Sequence, residues 1–97
     1  MLFRSEPIRE WVFRGVNGDR VWRFDYAWPH RIPKAAFERE GGTWTEGRHN
    51  RGIGYRSDCE KYSEAAIMGW LVVRATVDMI KDGTAWWLLE KAFEAHG

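Results

Sequence analysis

Ninety-seven residues, 44% hydrophobic and 30% charged with a formal net charge of +1, allow one domain (residues 1–97) with one core. No apolar run approaches the ~18 residues of a membrane span, and residues 1–7 lack the apolar stretch and small-residue cleavage site of a signal peptide. The single cysteine, Cys59, excludes an internal disulfide framework and a cysteine zinc site, so the expectation is a soluble, cytoplasmic protein with no membrane partner.

The charge is unevenly spread. Residues 1–56 carry +4 and residues 57–97 carry −3, and arginines outnumber lysines eleven to four. A basic first half with clustered arginines suits a polyanionic partner. The same totals also describe arginines merely scattered over a surface.

In chain order, Arg9-Glu10-Trp11-Val12-Phe13-Arg14 alternates like a strand, and residues 21–28 do so with larger aromatics. Asn17-Gly18 between them favours a hairpin turn, which predicts antiparallel pairing. Strand alternation then puts Trp22, Phe24, Tyr26 and Trp28 on one buried face, with Arg23, Asp25 and Ala27 on the other. Pro29 ends this strand, and His30-Arg31-Ile32-Pro33 turns the chain into a third, over residues 35–40.

In that third strand Glu38 and Glu40 project from one face, and Phe37 and Arg39 from the other. Two neighbouring carboxylates are costly unless a positive charge sits between them, which suggests a metal ion. Gly41 and Gly42 then permit a sharp turn and close approach of a ligand to the backbone. The plain alternative is a solvated strand edge.

Residues 41–56 show no periodicity and contain five glycines, with Trp44, Arg48, His49, Arg51 and Arg56 among them. Exposed glycine N–H groups and arginine forks match phosphate oxygens, which reads as a phosphate-gripping loop; a merely mobile loop is the alternative. Ser57-Asp58-Cys59-Glu60 has the form of a capping box, so a helix is predicted to begin after Ser57. Cys59, Tyr62, Ala66 and Gly69 form its sheet-facing stripe, Cys59 as a small core residue, with Lys61 and Glu64 off that stripe. Residues 70–75 are nearly all apolar, as in a central strand, and residues 78–83 form a short helix or turn. Ala85, Leu88, Leu89, Ala92 and Phe93 give a final helix its apolar face. The adjacent Trp86 and Trp87 lie about 100° apart on that helix, so one is expected at an interface. A core this small is marginal, which adds to the expectation of a homodimer.

Three strands, a helix, a strand and a helix make a mixed α/β domain, an antiparallel meander plus a crossover strand flanked by helices. Five blocks in this order, residues 22–29, 37–44, 47–52, 58–62 and 69–74, resemble small phage and bacterial endonucleases of the PD-(D/E)XK superfamily. The types most similar are the VRR-NUC-like and very-short-patch-repair-like nucleases. The resemblance spans roughly residues 20–92. It implies a restriction-endonuclease-like core and a metal-dependent DNA endonuclease, selective for branched or mismatched DNA, in a bacterial or phage-infected cell.

By the same resemblance, Asp25 and Glu38 match the two metal-binding carboxylates, and the carbonyl of Arg39 adds a ligand. Mg²⁺ or Mn²⁺ suits oxygen-only ligands. The lysine usual two residues past the glutamate is replaced by Glu40, and Lys61 is the candidate for a displaced lysine. Arg48, Arg51, Arg56 and Trp44 would hold DNA. His49 would either act as a proton-transfer residue or only touch phosphate. The alternative function is a nucleic-acid-binding module that keeps the fold without catalysis.

Overall fold

A computed structural model describes residues 6–40 and 51–96, with only the backbone of residues 51–53. Strands β1 (Ile8–Arg14), β2 (Val21–Trp28) and β3 (Ala35–Glu40) are followed by helix α1 (Arg51–Ile67) and strand β4 (Leu71–Thr76). Helices α2 (Val77–Lys81) and α3 (Thr84–His96) complete the chain. The four strands lie side by side in sequence order, antiparallel between β1, β2 and β3 and parallel between β3 and β4. The domain is therefore α/β, a mixed sheet flanked by helices. Among the described residues no helix is long and apolar enough to cross a membrane.

The Asn17-Gly18 hairpin forms as expected, with Gly18 at φ +77 and its N–H donating to the Gly15 carbonyl. Gly15 is needed for a different reason. A Cβ there would lie 2.1 Å from Glu64 Oε1, and that oxygen accepts from Val16 N–H and from Trp22 Nε1–H. Glu64 thus ties the hairpin to α1. Gly15→Ala is expected to push the flexible Glu64 carboxylate off both donors, one exposed and one partly buried, and lower stability by about 0.5–1.5 kcal/mol, the net worth of a hydrogen bond that water can partly replace. Chemical denaturation of the two proteins measures it.

The core is split by the sheet. Phe13, Trp22, Phe24, Ala27, Ala36 and Trp70 pack with Ala65 of α1 on one face. Trp28, Ala35, Phe37 and Ala75 pack with Ala85 and Leu89 of α3 on the other, with Tyr26 against them. This corrects the expected single aromatic face of β2. Trp22 and Phe24 face α1, whereas Tyr26 and Trp28 face α3. The alternation slips at Asp25, and on β1 the opposing Glu10 has a left-handed φ of +52. Neither Glu10 nor Asp25 joins the β1–β2 register, which pairs Trp11 with Phe24 and Arg9 with Tyr26.

Helix α1 begins at Arg51, six residues before Ser57, so the Ser57 capping box is not its start and residues 51–56 are not loop. Two glycines at about 1 kcal/mol each weaken a helix without forbidding it, and no proline interrupts the segment. The buried stripe is also shifted by one residue from the expected one. Ala65 is buried, Lys61 and Tyr62 are partly buried, and Ala66 and Cys59 are exposed. Cys59 is therefore not a core residue, and Lys61 faces the sheet.

Strand β4 is an edge strand among the described residues rather than a central one. Its apolar run arises because both faces are covered, Val72 on the α1 side and Leu71, Val73 and Ala75 on the α3 side. The expected apolar face of α3 is present, and Arg31 helps to anchor this helix. Its guanidinium donates to the carbonyls of Pro33 and Phe93 and lies 4.2 Å from the Phe93 ring centre. Trp86 and Trp87 are both exposed, at 53% and 56%.

Candidate functional site

The site lies where the sheet forks. β2 pairs with β3 only through Tyr26–Phe37, Ala27–Ala36 and Trp28–Ala35. Beyond that point β3 continues beside β4 to Glu40, while β2 stays with β1. Backbone donors in the gap need other acceptors, since an unpaired buried N–H costs free energy comparable to a lost hydrogen bond. Two carboxylates supply them reciprocally. The Asp25 N–H donates to Glu38 Oε2 at 2.7 Å, and the Arg39 N–H donates to Asp25 Oδ2 at 2.8 Å.

Glu38 is only 6% exposed, the one buried charged residue among those described. Its Oε1 accepts from Lys61 Nζ at 2.5 Å and from the Tyr62 hydroxyl at 2.7 Å. Both donors come from α1, one residue apart. The ammonium also lies 5.2 Å from the ring centres of Phe24 and Tyr62. Glu40 shares the α1 side of β3 and pairs with Arg74 Nε at 2.7 Å, and the Arg74 guanidinium stacks 4.1 Å above the Tyr62 ring. Each carboxylate of the Glu38/Glu40 pair thus has a cation from the chain itself. Their mutual repulsion therefore does not by itself call for the metal ion expected between them, and Glu40 stays partly exposed at the end of β3.

Burial pushes the Tyr62 hydroxyl well above the ordinary tyrosine range, helped by its hydrogen bond to Glu38 and by the charges of Glu38 and Glu40. The hydrogen bond to Glu40 holds the Arg74 guanidinium above its ordinary value. For Tyr62 the folded state keeps a proton that the unfolded chain releases near pH 10. Its contribution to stability is therefore whole below pH 10 and lost progressively as pH rises above it. Denaturation across alkaline pH is expected to show a steeper loss of stability in the wild type than in Tyr62→Phe.

Asp25 is partly exposed and opens on a pocket of about 370 Å³, lined also by Arg9, Glu10, Arg23, Tyr26 and Arg39. Arg23 reaches Asp25 Oδ1 at 3.8 Å and Glu10 Oε1 at 3.9 Å, long contacts between largely exposed groups. Such pairs hold little energy, ~0–1 kcal/mol. The left-handed backbone of Glu10, a conformation costing about 1–3 kcal/mol, sits in the pocket wall.

The donors fit a hard divalent cation in kind. Asp25 Oδ1 has no hydrogen bond among the described residues, and Glu38 Oε2 accepts one bond and retains a lone pair. No cluster of three or more His, Cys, Asp or Glu converges among the described residues. Asp25, Glu38 and the Arg39 carbonyl would leave part of the shell to water and substrate oxygens, as Mg²⁺ commonly does.

Of the residues singled out from the sequence, Asp25, Glu38, Arg39 and Lys61 come together here, and Glu40 lies beside them on Arg74. Trp44, Arg48 and His49, with the Gly41-Gly42 turn, lie outside the described residues, as does the side chain of Arg51. Arg56 is exposed on α1 and pairs with Glu60 at 3.5 Å, four residues on. Sequence reasoning placed Tyr62 on the sheet-facing stripe without giving it a role, and missed Arg74 and the pocket residues Arg9 and Arg23. Arg74 had a legible signal, a lone charge inside an apolar strand. Comparison with protein-family models, with curated proteins and with solved structures returned no match.

Proposed function

We propose that the chain is a metal-dependent DNA endonuclease of the PD-(D/E)XK type with a restriction-endonuclease-like core, acting on branched or mismatched DNA. The observation that carries this reading is the fork itself. Asp25 and Glu38 exchange hydrogen bonds with each other's strands at an opening in the sheet, and Lys61 reaches Glu38 from α1. A lysine at this place answers for the one that Glu40 replaces.

Asp25, Glu38 and the Arg39 carbonyl would hold Mg²⁺ or Mn²⁺, which would polarise the phosphoryl group and acidify a water. Lys61 sets a fixed positive charge where negative charge develops in the transition state, in a largely water-excluded position where it acts most strongly. Tyr62 keeps its proton and orients Glu38 as a donor. Glu40 is turned to Arg74, which makes it a positioning residue for the Tyr62–Arg74 stack. Arg48, Arg51, His49 and Trp44, in the segment that follows β3 directly in sequence, belong to this proposal as contacts to flanking DNA, with Arg56 further along.

A second reading has one observation in its favour. Glu38 already accepts three hydrogen bonds within the chain, as expected of a nucleic-acid-binding module whose former site has become structural. Supercoiled plasmid separates the two. The nuclease reading expects nicked circles with Mg²⁺ or Mn²⁺ and none with EDTA. DNA binding without cleavage at any metal would leave the binding module.

A further inference from the structure

Tyr26, in the wall of the pocket beside Asp25, begins a row of three aromatic rings. It lies 6.3 Å from Phe37, and Phe37 lies 6.0 Å from Trp86 with ring planes only 8° apart. Phe37 is buried, so Trp86 rests one ring face on it, and at 53% exposure presents the other outward. Trp87 is similarly exposed, with the Lys91 ammonium 5.9 Å from its ring centre. Arg9, Arg23 and Arg39 surround the pocket end of this row.

We infer that this face binds single-stranded DNA, with a phosphate among Arg9, Arg23 and Arg39 and a base stacked on Trp86. The inference rests on the proposed nucleic-acid function and gives it a substrate class: a site whose scissile strand is held unpaired. Two features support the choice. A flat indole backed by a second ring accepts any base by stacking, whereas paired bases in a duplex present no free face. Three guanidiniums against two carboxylates leave the pocket net positive, and arginine forks match phosphate oxygens. The strands also diverge here, so the backbone that would close the pocket on one side has turned away.

The test is fluorescence anisotropy in EDTA, which prevents cleavage, with fluorescein-labelled oligothymidylate and a labelled duplex. The wild type is expected to bind the single strand more tightly than the duplex. Trp86→Ala should weaken oligothymidylate binding by about ten-fold, within the range for losing one base–aromatic stack, and leave duplex binding unchanged. Trp86→Phe should restore most of the affinity, which a merely structural role would not require. Arg39→Ala should make the salt dependence of single-strand binding shallower by about 0.7 in log–log slope, one phosphate contact. Duplex preferred over single strand, with Trp86→Ala without effect, would overturn this inference and leave the nuclease reading standing. Binding of neither nucleic acid would overturn this inference, and the plasmid assay with Mg²⁺ or Mn²⁺ would then decide the nuclease reading by itself. A dimer that Trp86→Ala converts to monomer, with oligothymidylate binding unchanged, would assign the face to a second copy of the chain and also overturn the inference.

Discussion

On the proposed nuclease reading, Asp25→Asn is expected to reduce phosphodiester hydrolysis by about 10²-fold or more, since a metal ion held there supplies several kcal/mol to the transition state, while the protein still folds and binds DNA. The amide keeps the size of the carboxylate, and its oxygen can still accept from the Arg39 N–H, the bond that closes one side of the fork. What disappears is the charge. Asp25 is partly exposed, and its ion contact with Arg23 is long, so little stability is lost with it. DNA binding should persist or tighten, because a negative charge facing phosphate has been removed. Plasmid nicking, a melting curve and a binding isotherm on one preparation check all three parts. Full cleavage by Asp25→Asn would remove Asp25 from the chemistry.

Glu38→Ala is expected to act mainly on the fold, destabilising it by about 3–5 kcal/mol, as when one member of a buried ion pair is removed. Three donors lose their acceptor together: Lys61 Nζ, the Tyr62 hydroxyl and the Asp25 N–H. For a domain of this size each kcal/mol moves the melting temperature by roughly 4–8 °C. Loss of cleavage in this variant would therefore not by itself identify a metal ligand. Glu38→Gln combined with Lys61→Met keeps the volumes and removes both charges, and it should recover most of the lost stability. If Glu38→Ala unfolds at the same denaturant concentration as the wild type, the Lys61–Glu38 pair is not holding the fork.

Local physics made much of this legible from residue order. The Asn17-Gly18 turn, the strands on either side of it, the alternation that puts Glu38 and Glu40 together, and the apolar face of α3 all follow from backbone geometry and side-chain spacing within a few residues. Helix α1 was only half legible. Its glycines argue locally against a helix at residues 51–56, and its inward stripe depends on which side meets the sheet, so Lys61 and Cys59 exchange the roles that the spacing suggests. Glu64 carried no signal at all, because its two partners lie 42 and 48 residues away.

The sequence by itself determined that Glu38 and Glu40 share one face of β3, a matter of short-range alternation, whereas Asp25 entered only as a match to the pattern of the family that the chain resembles. Only the tertiary structure decided what faces them. The slip at Glu10 and Asp25 divides the β2 aromatics between two cores and opens the fork, and it depends on pairing between strands. Lys61 and Arg74 reach the glutamates across 23 and 34 residues. Such contacts depend on how α1 and β4 pack against the sheet, a consequence of burying both faces at once that no local period can register.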